Sequence, residues 1–547
     1  MKLSKLSFFF LPLALLAATG CSDKQNVNEQ KVPSAKSSAN SAQTKDILNY
    51  ASMKDIRNIN PHLYLGEMAA QAMVFDPLVQ NTPEGTVVPA LAQSWDISPD
   101  GKTYTFHLRK GVKYTDGTPF TAETVKQNFD AILANKQRHA WLDMINEIEK
   151  TEAKDDSTFV LHLKHPYFPT LIELGLARPF RFISPKCFKD GGTKDGVSCL
   201  SGTGPWVIEE HKNNQYAVFK PNPNYYGNKP KLKEVKWIVM PDPQTMLMAL
   251  EKGEIDLVYG ADGDQLTSDA VTKLQKEGKF VVSTSKPIAS RAILLNSNAP
   301  ITSDLNIREA IQRAVNKNNI VKGVLNNSED IAETLFAKNV PGCNIDLKIR
   351  QYDPKAAEEI LDKAGWKLGS NGVRQKDGHR LELNFYLNNN NAQEKTIAES
   401  IQNDLRKVGI KVNVIGEEKQ AFLDRQKTGK FDLQYSLSWG APYDPQSYLS
   451  SWRIPAHGDY QAQIGLKDKA IIDDEITKVM TEPDSVKRQE LLTDILTRIH
   501  NSAVYLPVSY SKTKAIHSKS LHDVKFAASQ YEIPFEQMTF DQSHKQP

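Results

Sequence analysis

The sequence predicts an α/β fold in which mixed sheets are flanked by helices and the chain is divided over more than one domain. Three observations lead there. Across residues 381–387, Leu381, Leu383, Phe385 and Leu387 alternate as one face of a half-buried strand. Next, Ile397, Ile401, Leu405 and Val408 recur at helical spacing, Gly409 stops the run, and Ile410, Val412 and Val414 alternate again, which completes a strand, helix, strand unit. The third is length: roughly 500 residues follow the N-terminal leader and tether, too many for a single core.

Taken in chain order, the first element is a leader. Lys2 and Lys5 precede an apolar run over residues 6–18, too short to span a bilayer as a mature helix, so residues 1–20 read as a signal peptide. The run ends in Ala18-Thr19-Gly20-Cys21, which resembles a bacterial lipobox and makes Cys21 the expected lipidation site. Residues 21–45 are rich in Ser, Ala, Lys, Asn and Gln and cannot bury enough surface to fold, so they read as a tether between lipid and body. Stable anchoring needs more than one acyl chain. Such a protein stands lipid-anchored at the periplasmic face of a bacterial membrane.

Residues 91–125 are rich in hairpin signals. Asp100-Gly101 precedes the alternating Tyr104, Phe106 and Leu108, Asp116-Gly117 makes another turn, and Thr121 caps a helix. Beyond Cys21 the chain has Cys187, Cys199 and Cys343, and no CxxC pair, which argues against a zinc site. In an oxidising compartment Cys187 and Cys199 are expected to close the glycine-containing loop between them, leaving Cys343 as a free thiol or a small buried residue.

A helix is predicted near residues 307–321, with Ile307, Ala310, Ile311, Ala314 and Val315 on one side. Another follows Tyr352-Asp353-Pro354, where Asp353 caps, Pro354 takes the first position, and Ala357, Ile360, Leu361 and Ala364 form the apolar stripe up to Gly365. After the strand, helix, strand unit comes a stretch of different character. Residues 438–463 place Trp439, Tyr443, Trp452, Arg453 and His457 among Gly and Pro, too punctuated for one long helix or a central strand. Such residues either line a binding site or fill a domain junction.

Composition excludes several classes. The formal charge is +3, falling to +1 when Lys2 and Lys5 leave with the signal, so no nucleic-acid footprint exists. An apolar share of 40% and a charged share of 24% are those of a globular protein. No HExxH, GxxxxGK[ST] or GxSxG motif occurs and the acidic residues form no paired motif, so an enzyme is not expected.

Several blocks in consistent order then carry a resemblance. The hairpin stretch at 91–125, GTGPW at 202–206, NPNYYG at 222–227 and ALEKGEIDLVYG from Ala249 resemble the substrate-binding proteins of peptide and nickel ABC importers. NPHLY at 60–64, QRHAWL at 137–142, ARPFRFI at 177–183, WGAPYDP at 439–445 with Pro455-Ala456-His457, and EIPFEQ at 532–537 are similar to the nickel-binding branch of that family. The resemblance implies a two-lobed type II periplasmic-binding fold with an extra subdomain in the first lobe. The expected lobes are 46–287 plus 511–547, and 288–510.

Carried over residue by residue, the resemblance implies that His457 ligates the metal and that Arg138 and Arg178 hold the carboxylates of a chelator. Tyr64, Met68, Trp141, Trp439 and Tyr443 then form the wall. Residue type alone leaves these positions open, since a lone histidine is usually unremarkable, Arg138 has acidic residues near it in sequence, and aromatics fill cores. Two departures stand out: the gap from Tyr64 to Met68 is one residue shorter than in the family, and Tyr531 replaces a threonine. His62 and His139 gain no role. The implied cargo is nickel(II) with a small carboxylate and imidazole chelator such as free histidine, with no tightly bound cofactor. The implied partners are a permease with its ATPase subunits, and the chain is expected to act as a monomer. The alternative cargoes are oligopeptides, dipeptides or haem, and Asp444 is available to meet a peptide's amine.

Overall fold

The computed structural model describes residues 45–261, 266–389 and 391–541. The leader at 1–20, Cys21 and all but the last residue of the tether lie outside these. Two large mixed sheets dominate. The first has seven strands, ordered in space as Trp206–Lys212, Tyr216–Pro221, Glu234–Val239, Ile47–Ser52, Leu257–Gly260, Lys514–His517 and Val281–Thr284. Ile47–Ser52 pairs parallel with both neighbours while the flanking pairs are antiparallel.

The second sheet has six strands: Asp330–Ile331, Tyr505–Ser511, Ala289–Leu295, Leu433–Leu437, Glu382–Asn388 and Lys411–Glu417. Ala289–Leu295 is buried at every residue, as a strand covered on both faces must be. A separate four-stranded antiparallel sheet, Ala92–Ile97, Thr103–Leu108, Thr158–Leu163 and Ile148–Asp155, packs against the helix Ala122–Leu133. No helix among the described residues is long and apolar enough to cross a membrane.

The chain passes between the large sheets twice, at 284–289 and at 511–514. These segments run side by side: Ser285 N–H donates to the Thr513 carbonyl and Ile288 N–H to the Ser511 carbonyl, each at 2.9 Å.

Local chemistry explains most element ends. Thr121 and Thr124 form a reciprocal capping box on Ala122–Leu133, and Asp353 accepts from Ala356 N–H at 2.9 Å ahead of Pro354–Lys363. The strand, helix, strand unit is present as Glu382–Asn388, Ala392–Lys407 and Lys411–Glu417. One expectation is corrected. The helix near 307–321 spans Leu305–Ala314 and stops because Val315 is extended, at φ −88° and ψ 121°. Asn316 then starts a new turn, its side chain accepting from Asn319 N–H while its own N–H donates to Asp404 Oδ2. A β-branched residue followed by a residue that bonds the backbone locally favours such a break. Cys187 and Cys199 are joined by a disulfide with Cα atoms 4.9 Å apart, and Cys343 is free and buried.

Away from the crossing, the unit carrying the four-stranded sheet touches elements of the six-stranded one. Asp143 forms an ion pair with Arg453, and Phe168 N–H donates to the Met480 carbonyl at 2.8 Å. Glu173, almost fully buried, accepts at Oε1 from Tyr167 OH (2.9 Å) and Ser447 Oγ (3.1 Å). Burial, reinforced by Asp143, pushes its carboxyl up from the ordinary 4.5 to about 8.

Between those two values the folded protein holds a proton that the unfolded chain releases, so Glu173 lowers stability progressively as pH rises from about 4.5 towards about 8. Glu173→Gln mimics the protonated form. Thermal melts should show it close to the parent at pH 5 and higher in Tm by roughly 2–4 °C at pH 9; an equal difference at both pH values would contradict this account.

Candidate functional site

One cavity of about 340 Å³ is lined by Tyr64, Met68, Arg138, Trp141, Arg178, Trp439, Tyr443, His457 and Tyr531. The structure therefore brings together all eight residues expected at the site and adds Tyr531. Tyr64 sits in the loop after Ile47–Ser52, and Met68 opens the helix Met68–Val74 despite the shortened gap. That loop doubles back tightly at Gly66, where a Cβ would stand 2.5 Å from the Asn58 carbonyl oxygen and 2.6 Å from Ile59 Cα. Only glycine fits there. The Gly66 carbonyl in turn accepts from Arg178 Nη1 at 3.1 Å.

Tyr64 is the centre of this wall. Its hydroxyl accepts from Trp141 Nε1 and lies 2.7 Å from His139 Nδ1, each contact being 2.7 Å. Indole N–H only donates, so Trp141 takes one lone pair of the phenolic oxygen, while His139 Nδ1 takes either the phenolic proton or the second lone pair according to its tautomer. Burial holds His139 down to about 4, with Arg138 adding to the shift, so its imidazole is neutral and able to accept. What Tyr64 offers is its ring face. The guanidinium carbons of Arg138 and Arg178 lie 4.5 and 4.9 Å from its centroid.

Neither arginine forms an ion pair among the described residues. Arg138 is exposed in a short 3-10 turn, Lys136–His139, and does not pair with an acidic neighbour. Arg181 plays a different part: buried, it donates to the Leu176 and Phe75 carbonyls at 3.0 Å and pairs with Glu532, beside Tyr531. It bridges within one lobe and holds the loop that carries Arg178.

The opposite wall comes from the stretch after Leu433–Leu437. Gly440 takes φ +80°, which turns the chain so that Tyr443 N–H reaches the Gly440 carbonyl at 2.9 Å. Trp439 meets Trp141 edge to face at 5.7 Å and Tyr443 at 6.3 Å. Tyr443 also meets Tyr531 at 6.1 Å, so Tyr531 narrows the floor. Two six-residue helices, Gln446–Ser451 and Gly458–Gln463, break up the remainder, and the stretch divides in purpose. Tyr448 and Trp452 belong to the core, whereas Trp439, Tyr443 and His457 reach the cavity.

His457 stands directly before Gly458–Gln463 with its ring 5.9 Å from Trp439. Its ring nitrogens make no hydrogen bond among the described residues. Burial lowers its pKa, opposed by Asp459, which Tyr448 OH (2.5 Å) and Tyr505 OH (2.8 Å) both hold. The result is a neutral imidazole with a free lone pair. Asp444 does not line the cavity. It is buried, accepts from Ser438 Oγ at 2.5 Å, and burial raises its carboxyl to about 7. No three His, Cys, Asp or Glu side chains cluster as a metal site among the described residues.

A cavity between two sheet-centred lobes, walled by aromatics and carrying two guanidiniums that form no ion pair among the described residues, defines a protein built to enclose a small solute. The chain belongs to the bacterial extracellular solute-binding proteins of family 5, whose middle-region profile matches residues 86–460. It has the type II solute-binding fold, and its relatives are solute-binding transport proteins rather than enzymes. It is 44% identical over 482 residues, 88% of this chain and 92% of the relative, to the nickel-binding periplasmic protein of Escherichia coli. The structure superposes with a TM-score of 0.89 on NikA of Brucella suis in complex with Fe(III)-EDTA, at 44% identity over 90% of this chain and all of the other. The dipeptide-binding protein of Escherichia coli is 26% identical over 86% of this chain and 90% of its own length.

Tyr64→Phe isolates the hydroxyl's work. It strands Trp141 Nε1 and His139 Nδ1 without a partner, and chemical denaturation should record a loss of about 1–3 kcal/mol. An unchanged midpoint would show that the bonds are not holding the wall.

Proposed function

We propose that this chain is the substrate-binding protein of an ABC importer that captures nickel(II) as a complex with a small carboxylate-bearing chelator, free histidine being the simplest example. One observation carries the reading. Two guanidiniums that form no ion pair among the described residues face, across an aromatic cavity, an imidazole whose pKa is lowered by burial and which makes no hydrogen bond among the described residues. Guanidinium forks suit carboxylates, and imidazole is a good nickel donor. One histidine cannot complete a four- to six-coordinate ion, so the other donors arrive with the metal. The similarity to the nickel-binding protein of Escherichia coli supports the same cargo.

In this reading Arg138 and Arg178 clamp the chelate, His457 binds the metal directly, and Trp141 and Trp439 exclude water above it. Capture occurs by closure of a lobe formed by 46–287 and 511–547 on a lobe formed by 288–510. A ligand touching both walls stabilises the closed state. The closed monomer then docks on the permease that the ATPase drives. Cys21 carries the lipid, and the tether lets the body stand off the periplasmic face of the membrane. The position of Asp444 away from the cavity weighs against a peptide's amine being met there.

Thermal shift separates the cargoes: nickel with free histidine should raise Tm well beyond nickel alone or di- and tripeptides, and stabilisation by peptides only would refute the nickel reading. His457→Ala should weaken binding of nickel–histidine by roughly tenfold or more in calorimetry without lowering Tm, and unaltered affinity would remove His457 as a ligand. Detergent phase partitioning tests the anchor. The parent should enter the detergent phase, and Cys21→Ser should stay in the aqueous one.

A further inference from the structure

Thr193 lies within the loop that the Cys187–Cys199 disulfide closes, in a small hairpin formed by Phe188–Lys189 and Gly192–Val197. Its side chain is almost fully buried, at 1% exposure, although the hairpin around it is largely open to solvent. The helix Ala122–Leu133 packs against its strand, and the loop that leads to Tyr64 bonds to it. The Thr193 carbonyl accepts from Asn60 Nδ2 at 2.9 Å, and Thr193 Oγ1 is 2.8 Å from His62 Nδ1. The other ring nitrogen, His62 Nε2, is 2.9 Å from the Arg181 carbonyl.

A carbonyl can only accept, so Nε2 carries the proton and Nδ1 accepts the threonine hydroxyl's. His62 is fully buried in this neutral form, its pKa lowered to about 3 by burial. It stands two residues before Tyr64, and Arg181 stands three after Arg178. One imidazole thus clips together the two loops that carry one wall of the cavity, and its third attachment is the hairpin.

A short two-stranded hairpin with an irregular register, and with glycine at 191, 192 and 196, is marginal by itself. The disulfide limits its freedom by tying both ends to Cys187, which is wholly buried. We propose that this disulfide-closed hairpin buttresses the binding cavity, with Thr193 and His62 as positioning residues that hold Tyr64 and Arg178 in place. The proposal uses the nickel–chelate reading only for its affinity readout.

Thr193→Val keeps the shape and removes the hydroxyl, and Cys187→Ala/Cys199→Ala opens the loop. Each should raise the Kd for nickel with free histidine about tenfold. The combined variant should be no weaker than the worse of the two, because both cut the same chain of contacts. Thr193→Ser, which keeps the hydroxyl, should bind as the parent does.

Amide exchange without ligand gives a second readout. The N–H groups of Leu63, bonded to the Asn60 carbonyl at 3.1 Å, and of Glu67, bonded to the Ile56 carbonyl at 2.9 Å, should exchange several-fold faster in Thr193→Val. If the parent binds and Thr193→Val leaves both Kd and exchange unchanged, or if the two lesions multiply, the buttress is overturned. If the parent does not bind nickel–histidine, the cargo reading fails by itself and exchange decides: faster supports the buttress, unchanged overturns it. Should the cysteine variant fail to fold, Thr193→Val and Thr193→Ser decide alone.

Discussion

Residues 284–289 and 511–514 cross between the large sheets side by side, held by bonds from Ser285 to Thr513 and from Ile288 to Ser511. Two strands paired in this way can flex together at a few dihedrals, but they resist sliding past one another. Contacts away from the crossing are ones that a rotation about it would make or break. The Asp143–Arg453 pair, the buried Glu173–Ser447 bond and the edge of Trp141 against Trp439 are all of this kind. The cavity lies among them, with its two walls meeting edge to face at Trp141 and Trp439.

Within the cavity, charge and polarity are divided between the walls. Arg138 and Arg178 stack on Tyr64 on one side, and an unbonded imidazole stands on the other. Aromatic edges fill the space between. Taking a guanidinium from water without pairing it to a carboxylate is unfavourable, and burial indeed lowers the Arg178 pKa. The protein tolerates this because the ring face of Tyr64 and the Gly66 carbonyl compensate in part.

Much of the fold was legible because its signals are local. Alternation over Leu381, Leu383, Phe385 and Leu387, and the caps at Thr121 and Asp353, depend on neighbours within a few residues. The break at Val315 was not, because an apolar stripe continues through it while the backbone does not. The site residues were legible only through the resemblance. Arg138, Arg178 and His457 are scattered over some 320 positions, and nothing about an arginine says that its partner is missing. The parts of His62 and His139 were hidden for a related reason. Their bonds are to groups far away in sequence, the Arg181 carbonyl, which fixes the tautomer of His62, and the Tyr64 hydroxyl beside His139. The carboxyl of Glu173 is raised by burial, and part of the packing that buries it, Ser447, stands 274 positions along the chain.

The two neutral histidines behind the arginine-bearing wall have one more effect. Burial keeps His62 uncharged down to about pH 3 and His139 down to about pH 4. Guanidinium does not titrate in this range. The wall thus presents a constant two positive charges from mild acid to alkali, a fixed electrode in a compartment whose acidity follows the surroundings. The histidines behind that wall therefore add no charge of their own to it over this range, and a change in pH leaves its two guanidiniums facing the cavity as they were.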